Sequence, residues 1–332
     1  MEQAVRETTD VVVTPSGRGK TFPVTESLAG LRIGIVNVYF YGSPNAGDGR
    51  WVLIDAGLHG SDERIIHAAE ELYGQGTRPA AIVLTHGHFD HVGALRDLAL
   101  LWDVPIYAHE RELPYLDGRS AYPPPDPTVG GGAMAALSRL YPRGPIDVSE
   151  WLRTLPADGA VPGMPGWRWI HTPGHTPGHV SLFHAAGGTL VAGDAFVTTK
   201  QESMLAALTQ RPEMHGPPAY YTTDWESAKA SVRRLGALEP EVAATGHGRP
   251  LRGPLMRDGL RMLAQDFDTL AVPKRGRYVN APAIADENGV VFVPPPVRDP
   301  LPGILMGIGA AVVVGAAVRS LRGDSGHRAH DN

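Results

Sequence analysis

Short apolar runs alternate along most of this chain with turns rich in glycine and proline. Apolar runs bounded by such turns are typical of buried strands. Eight of these runs are predicted as strands, namely residues 31–41, 51–54, 80–85, 105–108, 167–171, 180–184, 189–192 and 241–245.

Apolar residues at helical spacing separate several of the predicted strands. Ile65, Ala69 and Leu72, for example, lie on one stripe of a helix. The predicted helices cover residues 62–73, 92–102, 224–238 and 254–270. Asp224 is a suitable N-cap for the third of them. Strands that alternate with helices favour an α/β fold.

The densest group of metal-binding side chains follows the third predicted strand. Residues 85–91, Thr-His-Gly-His-Phe-Asp-His, contain three histidines and an aspartate. Imidazole nitrogen and carboxylate oxygen are ligands for zinc and similar divalent metals. Because side chains alternate near the end of a strand, His86 and His88 face the same way, and Asp90 and His91 can then reach a second metal. The segment therefore predicts half of a two-metal site.

This segment resembles the H-x-H-x-D-H signature of the metallo-β-lactamase superfamily. The further motifs of that family are present in the same order, each after an apolar run. They are Asp55 in WVLIDAG, His175 in TPGHT, Asp194 in AGDA and His247 in TGHG. The similarity covers about residues 30–270. It implies a four-layer αββα sandwich, in which two sheets lie between outer helices.

The resemblance also implies which side chains hold each metal. The implied ligands are His86, His88 and His175 for the first metal, Asp90, His91 and His247 for the second, and Asp194 as a bridge between the two. Asp55 is expected to orient a ligand through a hydrogen bond, and Asp90 to assist proton transfer as well. Zinc is the first expectation for both metals, although the same ligands accept Mn²⁺, Fe²⁺ or Co²⁺.

The expected reaction follows from two neighbouring metals. Divalent ions about 3.5–4 Å apart share a hydroxide that can attack a carbonyl carbon. The expected partner is therefore a small acyl substrate such as an ester, a thioester, a lactone or a β-lactam. The TPGHTPGH run is most similar to glyoxalase II-like and lactonase-like hydrolases. An iron-dependent persulfide dioxygenase and a non-catalytic, membrane-linked binding protein are the alternatives.

Composition narrows these functions only a little. The net charge of −5 argues against a broad surface for nucleic acid, so no nucleic-acid partner is expected. The absence of cysteine excludes disulfides, thiolate ligands and a cysteine nucleophile. No apolar signal segment precedes the predicted strands, so a cytoplasmic catalytic domain is expected. A homo-oligomer is compatible with all of these features.

Two long segments have few apolar runs. Residues 117–132 are rich in proline and glycine, and an irregular loop is expected there. Residues 196–223 directly follow the bridging aspartate, and we interpret them as a substrate lid, with a packed surface loop as the alternative. Tyr220 and Tyr221 in this segment are candidates for binding the substrate through their hydroxyl groups. Simple packing is the alternative for both.

Histidines flank His175 at a spacing of four on either side. These are His171 and His179. Since seven other side chains already supply the ligands of two metals, we expect both to be core or supporting groups.

The C-terminal part of the chain predicts a different organisation. We expect a hydrolase domain over residues 1–272, a proline-rich linker over 273–300 and a polar tail over 319–332. Residues 301–318 carry no charge, and as a helix they would span about 27 Å, close to the thickness of a hydrocarbon core. This run predicts a membrane anchor, with a tail that stays outside the membrane as the alternative.

Overall fold

The structure is a computed structural model, and it describes residues 10–11 and 20–298. One sheet has seven strands: β1 (Thr21–Pro23), β2 (Leu28–Ile33), β3 (Val36–Tyr41), β4 (Val52–Ile54), β5 (Ala81–Val83), β6 (Ile106–Ala108) and β7 (Leu152–Thr154). Their order in the sheet follows the sequence. Strands β1 to β4 pair antiparallel, and strands β4 to β7 pair parallel.

The second sheet has five strands. These are β8 (Trp167–His171), β9 (Val180–His184), β10 (Thr189–Gly193), β11 (Val242–Thr245) and β12 (Leu251–Arg252), in the spatial order β12-β11-β10-β9-β8. Strands β10 and β11 pair parallel, and the other neighbours pair antiparallel. A separate hairpin consists of β13 (Ile284–Asp286) and β14 (Gly289–Phe292).

Eight α-helices connect or cover these strands in the described part of the chain. They are α1 (Asp62–Tyr73), α2 (Leu95–Trp102), α3 (Leu113–Leu116), α4 (Ala133–Leu137), α5 (Met204–Thr209), α6 (Trp225–Gly236), α7 (Gly253–Gln265) and α8 (Phe267–Leu270). Asp224 is the N-cap of helix α6 as predicted, and its side chain accepts a hydrogen bond from the backbone N–H of Ser227.

The apolar side chains divide the fold into four layers. Along β4, Val52 and Ile54 point towards the second sheet, whereas Leu53 points to the opposite side and packs with α1 and α2. This alternation follows from the two-residue period of a strand. On the outer face of the second sheet, Val232 of α6 and Leu260 of α7 bury the remaining apolar surface. The predicted αββα sandwich is thus confirmed.

Several predicted elements differ from the structure in their bounds or in their continuity. Residues 31–41 form two strands rather than one, because the chain reverses at Gly34, whose φ of 63° favours glycine. The helix predicted from residue 92 begins at Leu95, since the N–H of Gly93 donates to the carbonyl of Gly57 instead. The last predicted helix is interrupted at Asp266, between α7 and α8.

The segments outside the sandwich are partly ordered. Residues 117–132 are irregular apart from a 3-10 turn at Pro127–Val129, and residues 196–223 contain α5. The hairpin of β13 and β14 lies within the predicted linker, while the predicted domain boundaries stay a prediction. Within residues 10–11 and 20–298, no helix is long and apolar enough to cross a membrane. Residues 301–318 lie outside the described residues, so the anchor stays a prediction.

A matched pair of leucines tests the assignment of the core. Leu53 is fully buried between β4 and the first helical layer, whereas Leu100 of α2 is 61% exposed. We expect Leu53→Ala to lower the free energy of unfolding by about 2–5 kcal/mol, because a cavity replaces packed side chain. Leu100→Ala should change it by less than about 0.5 kcal/mol. Urea denaturation at a fixed metal content measures both, and equal effects would contradict the layer assignment.

Candidate metal centre

The loops at one end of the two sheets contain all seven predicted ligands. His86, His88, Asp90 and His91 follow β5 of the first sheet. From the second sheet, His175 lies between β8 and β9, Asp194 directly follows β10, and His247 follows β11. All seven residues are buried, with at most 7% exposure. The sheet packing therefore brings together the residues that the motifs predicted as one group.

The first set of ligands comes from both sheets. Single ligand atoms of His86, His88 and His175 lie within 4.8 Å of one another. His88 Nδ1 is 3.0 Å from His175 Nε2. This spacing allows all three imidazoles to face one ion.

The second set lies beside the first. Single ligand atoms of Asp90, His91 and His247 also lie within 4.8 Å of one another. The distance from His247 Nε2 to Asp90 Oδ2 is 3.4 Å. Two groups of three ligands are therefore present side by side.

Asp194 lies between the two sets. Its Oδ2 atom is 3.5 Å from His175 Nε2 in the first set, 3.1 Å from His247 Nε2 and 3.7 Å from His91 Nε2 in the second. One carboxylate thus reaches ligands of both sets, as the bridging assignment requires.

Several ligand atoms are buried without a hydrogen-bond partner. These atoms are His86 Nε2, His91 Nε2 and Asp194 Oδ1. Buried polar atoms are almost always paired, and an unpaired one costs free energy. Divalent cations held by the two sets would satisfy these atoms, because imidazole nitrogen and carboxylate oxygen are their ordinary ligands. The residues present therefore fit divalent metal ions.

Supporting hydrogen bonds hold the far nitrogens of the imidazoles. His91 Nδ1 is 2.8 Å from Asp55 Oδ2, and His247 Nδ1 is 2.8 Å from the carbonyl oxygen of Ile35. His86 Nδ1 is 3.1 Å from Thr85 Oγ1, and His175 Nδ1 is 3.3 Å from Thr222 Oγ1. Such contacts orient each ring and leave its other nitrogen available to a metal ion.

Asp55 supports the site from the end of β4. Its φ of 60° is unusual for a residue other than glycine. Its carboxylate accepts hydrogen bonds from Thr85 N at 2.8 Å and Thr85 Oγ1 at 2.7 Å, in addition to its contact with His91. The strained backbone thus directs the carboxylate at the turn that carries the ligands.

The two histidines that flank His175 have different surroundings. His179 is fully buried, its Nε2 accepts from the backbone N–H of Asp194 at 2.9 Å, and its Nδ1 donates to Thr172 Oγ1 at 2.8 Å. It therefore positions Asp194. His171 stacks on His109 with 4.2 Å between ring centroids, and it belongs to neither ligand set.

The electrostatics differ between the two sets in the metal-free protein. Burial lowers the pKa of His175 to about 4 and lowers the pKa values of His86 and His88 as well. Burial also opposes the charged form of His91, but the charges of Asp194 and Asp55 raise the pKa of His91 well above its usual value. The pKa of His247 is raised in the same way, chiefly by Asp194.

Both tyrosines proposed for the substrate lie near the ligands. The ring of Tyr221 packs on that of His88 with 4.3 Å between centroids, and its hydroxyl donates to the carbonyl of Pro142. Tyr220 is buried, and burial together with the charge of Asp90 raises the pKa of its hydroxyl. No sequence pattern indicated that Thr222 would contact His175 or that Ile35 would contact His247, because these partners come from distant loops.

An αββα sandwich with a buried His and Asp cluster at one end defines a class of metal-binding fold. The chain belongs to the metallo-beta-lactamase superfamily, whose family profile matches residues 31–247. The resemblance inferred from the motifs is therefore confirmed.

Individual relatives agree with this membership. The chain is 47% identical over 252 residues to the probable metallo-hydrolase YflN of Bacillus subtilis (strain 168), covering 76% of this chain and 95% of that protein. It is 31% identical to a hydroxyacylglutathione hydrolase of Alkalilimnicola ehrlichii over 151 residues, 44% of this chain and 45% of that protein. A beta-lactamase domain protein from Burkholderia ambifaria has a similar fold, with a TM-score of 0.52, 20% identity, and coverage of 79% of this chain and 81% of that chain.

The raised pKa values of His91 and His247 predict proton release when zinc binds to the second set. In His88→Ala this set is intact, and we expect zinc binding at pH 7 to displace about one proton or more. In His247→Ala the first set is intact and its imidazoles are already neutral, so the release should be smaller. Titration calorimetry in two buffers of different ionisation enthalpy measures the difference.

The sign of the pH dependence follows from the same shifts. A proton held on His91 is lost as the pH rises through its raised pKa, so the release from His88→Ala should decline at higher pH. Equal release from the two variants at pH 7 would contradict the assignment of the raised pKa values to the second set.

Proposed function

We propose that this protein hydrolyses an ester, a thioester or a lactone with the help of two divalent metal ions, of which zinc is the first expectation. The observation that carries this proposal is the arrangement of seven buried ligands in two sets of three, joined by Asp194. Relatives named as a metallo-hydrolase and as a hydroxyacylglutathione hydrolase support hydrolysis over oxygenation.

The ligand residues would form two metal-binding positions. When bound, neighbouring divalent ions lower the proton affinity of water and polarise a carbonyl oxygen. His86, His88 and His175 would hold one ion, and Asp90, His91 and His247 the other. Asp194 would keep the two at a fixed separation. Neither a serine nor a cysteine nucleophile is needed for this reaction.

Asp90 and Asp55 have different proposed roles. Asp90 is 7% exposed, more than any other of the seven ligands, so it lies on the side that solvent can reach. A carboxylate there can take up a proton from water during the attack, as well as bind metal. Asp55 is fully engaged with Thr85 and His91, so it acts as a positioning residue.

Tyr220 is the better of the two tyrosines for contacting a substrate carbonyl. The hydroxyl of Tyr221 is already bonded to the carbonyl of Pro142, whereas that of Tyr220 has no hydrogen-bond partner among the described residues. Both lie in the proposed lid, residues 196–223, which also supplies Thr222 to His175. The lid would thus join the substrate to the first set of ligands.

Removal of metal tests the proposed reaction directly. We expect the purified protein to contain two zinc ions per chain and to hydrolyse members of a panel of thioesters, lactones and esters. Treatment with a chelator should abolish this hydrolysis, and addition of zinc should restore it. His247→Ala should lower kcat by at least about 100-fold, since a ligand needed for transition-state stabilisation is lost. His67→Ala is the control, because the His67 side chain is 70% exposed.

Three results would overturn this proposal. Full activity of the metal-free protein would exclude metal-dependent hydrolysis. A single iron per chain, with oxygen uptake on a persulfide, would indicate the dioxygenase alternative. Binding of the panel substrates without turnover by the zinc-loaded protein would favour a non-catalytic binding protein.

The hydroxyl of Tyr220 has its own test. We expect Tyr220→Phe to lower kcat by about 10- to 100-fold with little change in zinc content, because a donor to the developing oxyanion is lost. Tyr73→Phe removes the hydroxyl of a buried tyrosine in the outer helical layer, where the ring stacks on Trp51, and should leave kcat unchanged. An unchanged kcat for Tyr220→Phe would exclude its contact with the reacting carbonyl.

A further inference from the structure

We infer that Glu112 is a positioning residue that fixes the geometry of the first ligand set, although it binds no metal itself. Glu112 lies just before α3 and is 1% exposed. This inference rests on the proposed metal centre. It assigns a role to a buried carboxylate that none of the ligand motifs contains.

One carboxylate oxygen of Glu112 holds the turn between His86 and His88. Its Oε2 atom accepts a hydrogen bond from the backbone N–H of Gly87 at 3.0 Å, and it also accepts from the hydroxyl of Tyr122. The ring of Tyr122 packs on His88 with 4.6 Å between centroids. Glu112 and Tyr122 therefore fix the backbone of this turn and the imidazole ring of His88 from the same side.

The other oxygen of Glu112 holds the loop that contains His175. Its Oε1 atom accepts from Thr176 Oγ1 at 2.7 Å and from the backbone N–H of Gly178 at 2.8 Å. Thr176 directly follows the ligand. A single side chain thus connects ligand loops that come from different sheets and lie about 90 residues apart in the sequence.

The two loops approach Glu112 closely because glycine lies at both contacts. A Cβ atom at Gly87 would lie 2.6 Å from the hydroxyl oxygen of Tyr122, and one at Gly178 would lie 2.7 Å from the backbone nitrogen of Glu112. Such distances leave no room for a side chain. The packing therefore leaves little freedom for either loop to shift relative to the carboxylate.

The chemistry of the contacts requires a carboxylate rather than an amide. All four partners of Glu112 donate hydrogen bonds, and each carboxylate oxygen accepts two of these bonds. A glutamine would turn an NH₂ group towards two donors, and water could not replace the lost acceptor at a site that is 1% exposed. One of the two loops would then lose its connection to residue 112.

The zinc affinity of the first ligand set should depend on Glu112 more than that of the second. The spacing of 3.0 Å between His88 Nδ1 and His175 Nε2 joins the very loops that Glu112 holds. Among the described residues, no hydrogen bond runs from Glu112 to Asp90, His91 or His247, so the second set should be much less sensitive.

Zinc affinity tests this role without any substrate. In a His247→Ala background the remaining site is the first set, and in a His88→Ala background it is the second. Competition with a chromophoric chelator gives each affinity. We expect Glu112→Gln to weaken zinc binding by about 10- to 100-fold in the first background. In the second background the change should stay within about twofold.

Asp126→Asn is the matched control. Asp126 is 3% exposed and accepts hydrogen bonds from Thr128 and from the backbone N–H of Arg277, but its carboxylate contacts neither ligand loop. We expect this substitution to lower the thermal stability while zinc affinity in both backgrounds stays unchanged. Equal weakening by Asp126→Asn and Glu112→Gln would overturn the inference, since the effect would then be general destabilisation.

Tyr122→Phe keeps the test decisive if Glu112→Gln fails to fold. It removes one donor to Glu112 and one acceptor of Gly87 but keeps the ring on His88. We expect a smaller loss of zinc affinity, again confined to the first set. Unchanged affinity in the variants that fold would overturn the inference. Failure of the His247→Ala parent to bind zinc would instead overturn the proposed metal centre on which it rests.

Discussion

The packing of two sheets against each other is the constraint on which the site depends. The first sheet supplies the ligands after β5, and the second supplies those after β8, β10 and β11. Neither sheet alone carries a complete set, since His175 joins His86 and His88, and His247 joins Asp90 and His91. The apolar contacts between the sheets, such as those of Val52 and Leu182, therefore also set the distances between ligands.

Burial of the polar ligand side chains between the sheets costs free energy and so opposes this packing. Four of the five ligand histidines have at most 2% exposure, and two of their ring nitrogens have no partner. Asp194 relieves part of this cost, because its negative charge interacts with His91 and His247 and its own pKa is lowered well below the usual value. The remaining cost links folding to metal binding, since an ion would pair the unsatisfied atoms of both sheets.

Short periodicities predicted most of the strands and helices, whereas the sandwich and the full set of seven proposed ligands were implied by the resemblance of the ordered motifs to a known family. The turn at Gly34 was missed because β2 and β3 are both largely apolar and only Gly34 and Ile35 separate them. Contacts between distant segments could not be predicted in this way. Nothing near Thr222 or Glu112 in the sequence indicates that His175 or Gly87 lies beside it in space.

The same distinction bears on how substrates would be selected. The ligands are fixed by short loops with many hydrogen bonds, so the metal positions leave little scope for variation. The longer segments around them differ in character, because Tyr141, Tyr220 and Tyr221 pack with Met134 and Phe89 in one cluster beside His88. Contact with this apolar and aromatic cluster would favour an acyl group with matching apolar surface through burial rather than through charge. Substrate choice would therefore depend on residues that bind no metal. For this reason the ligand motifs indicate the type of reaction more closely than they indicate the substrate.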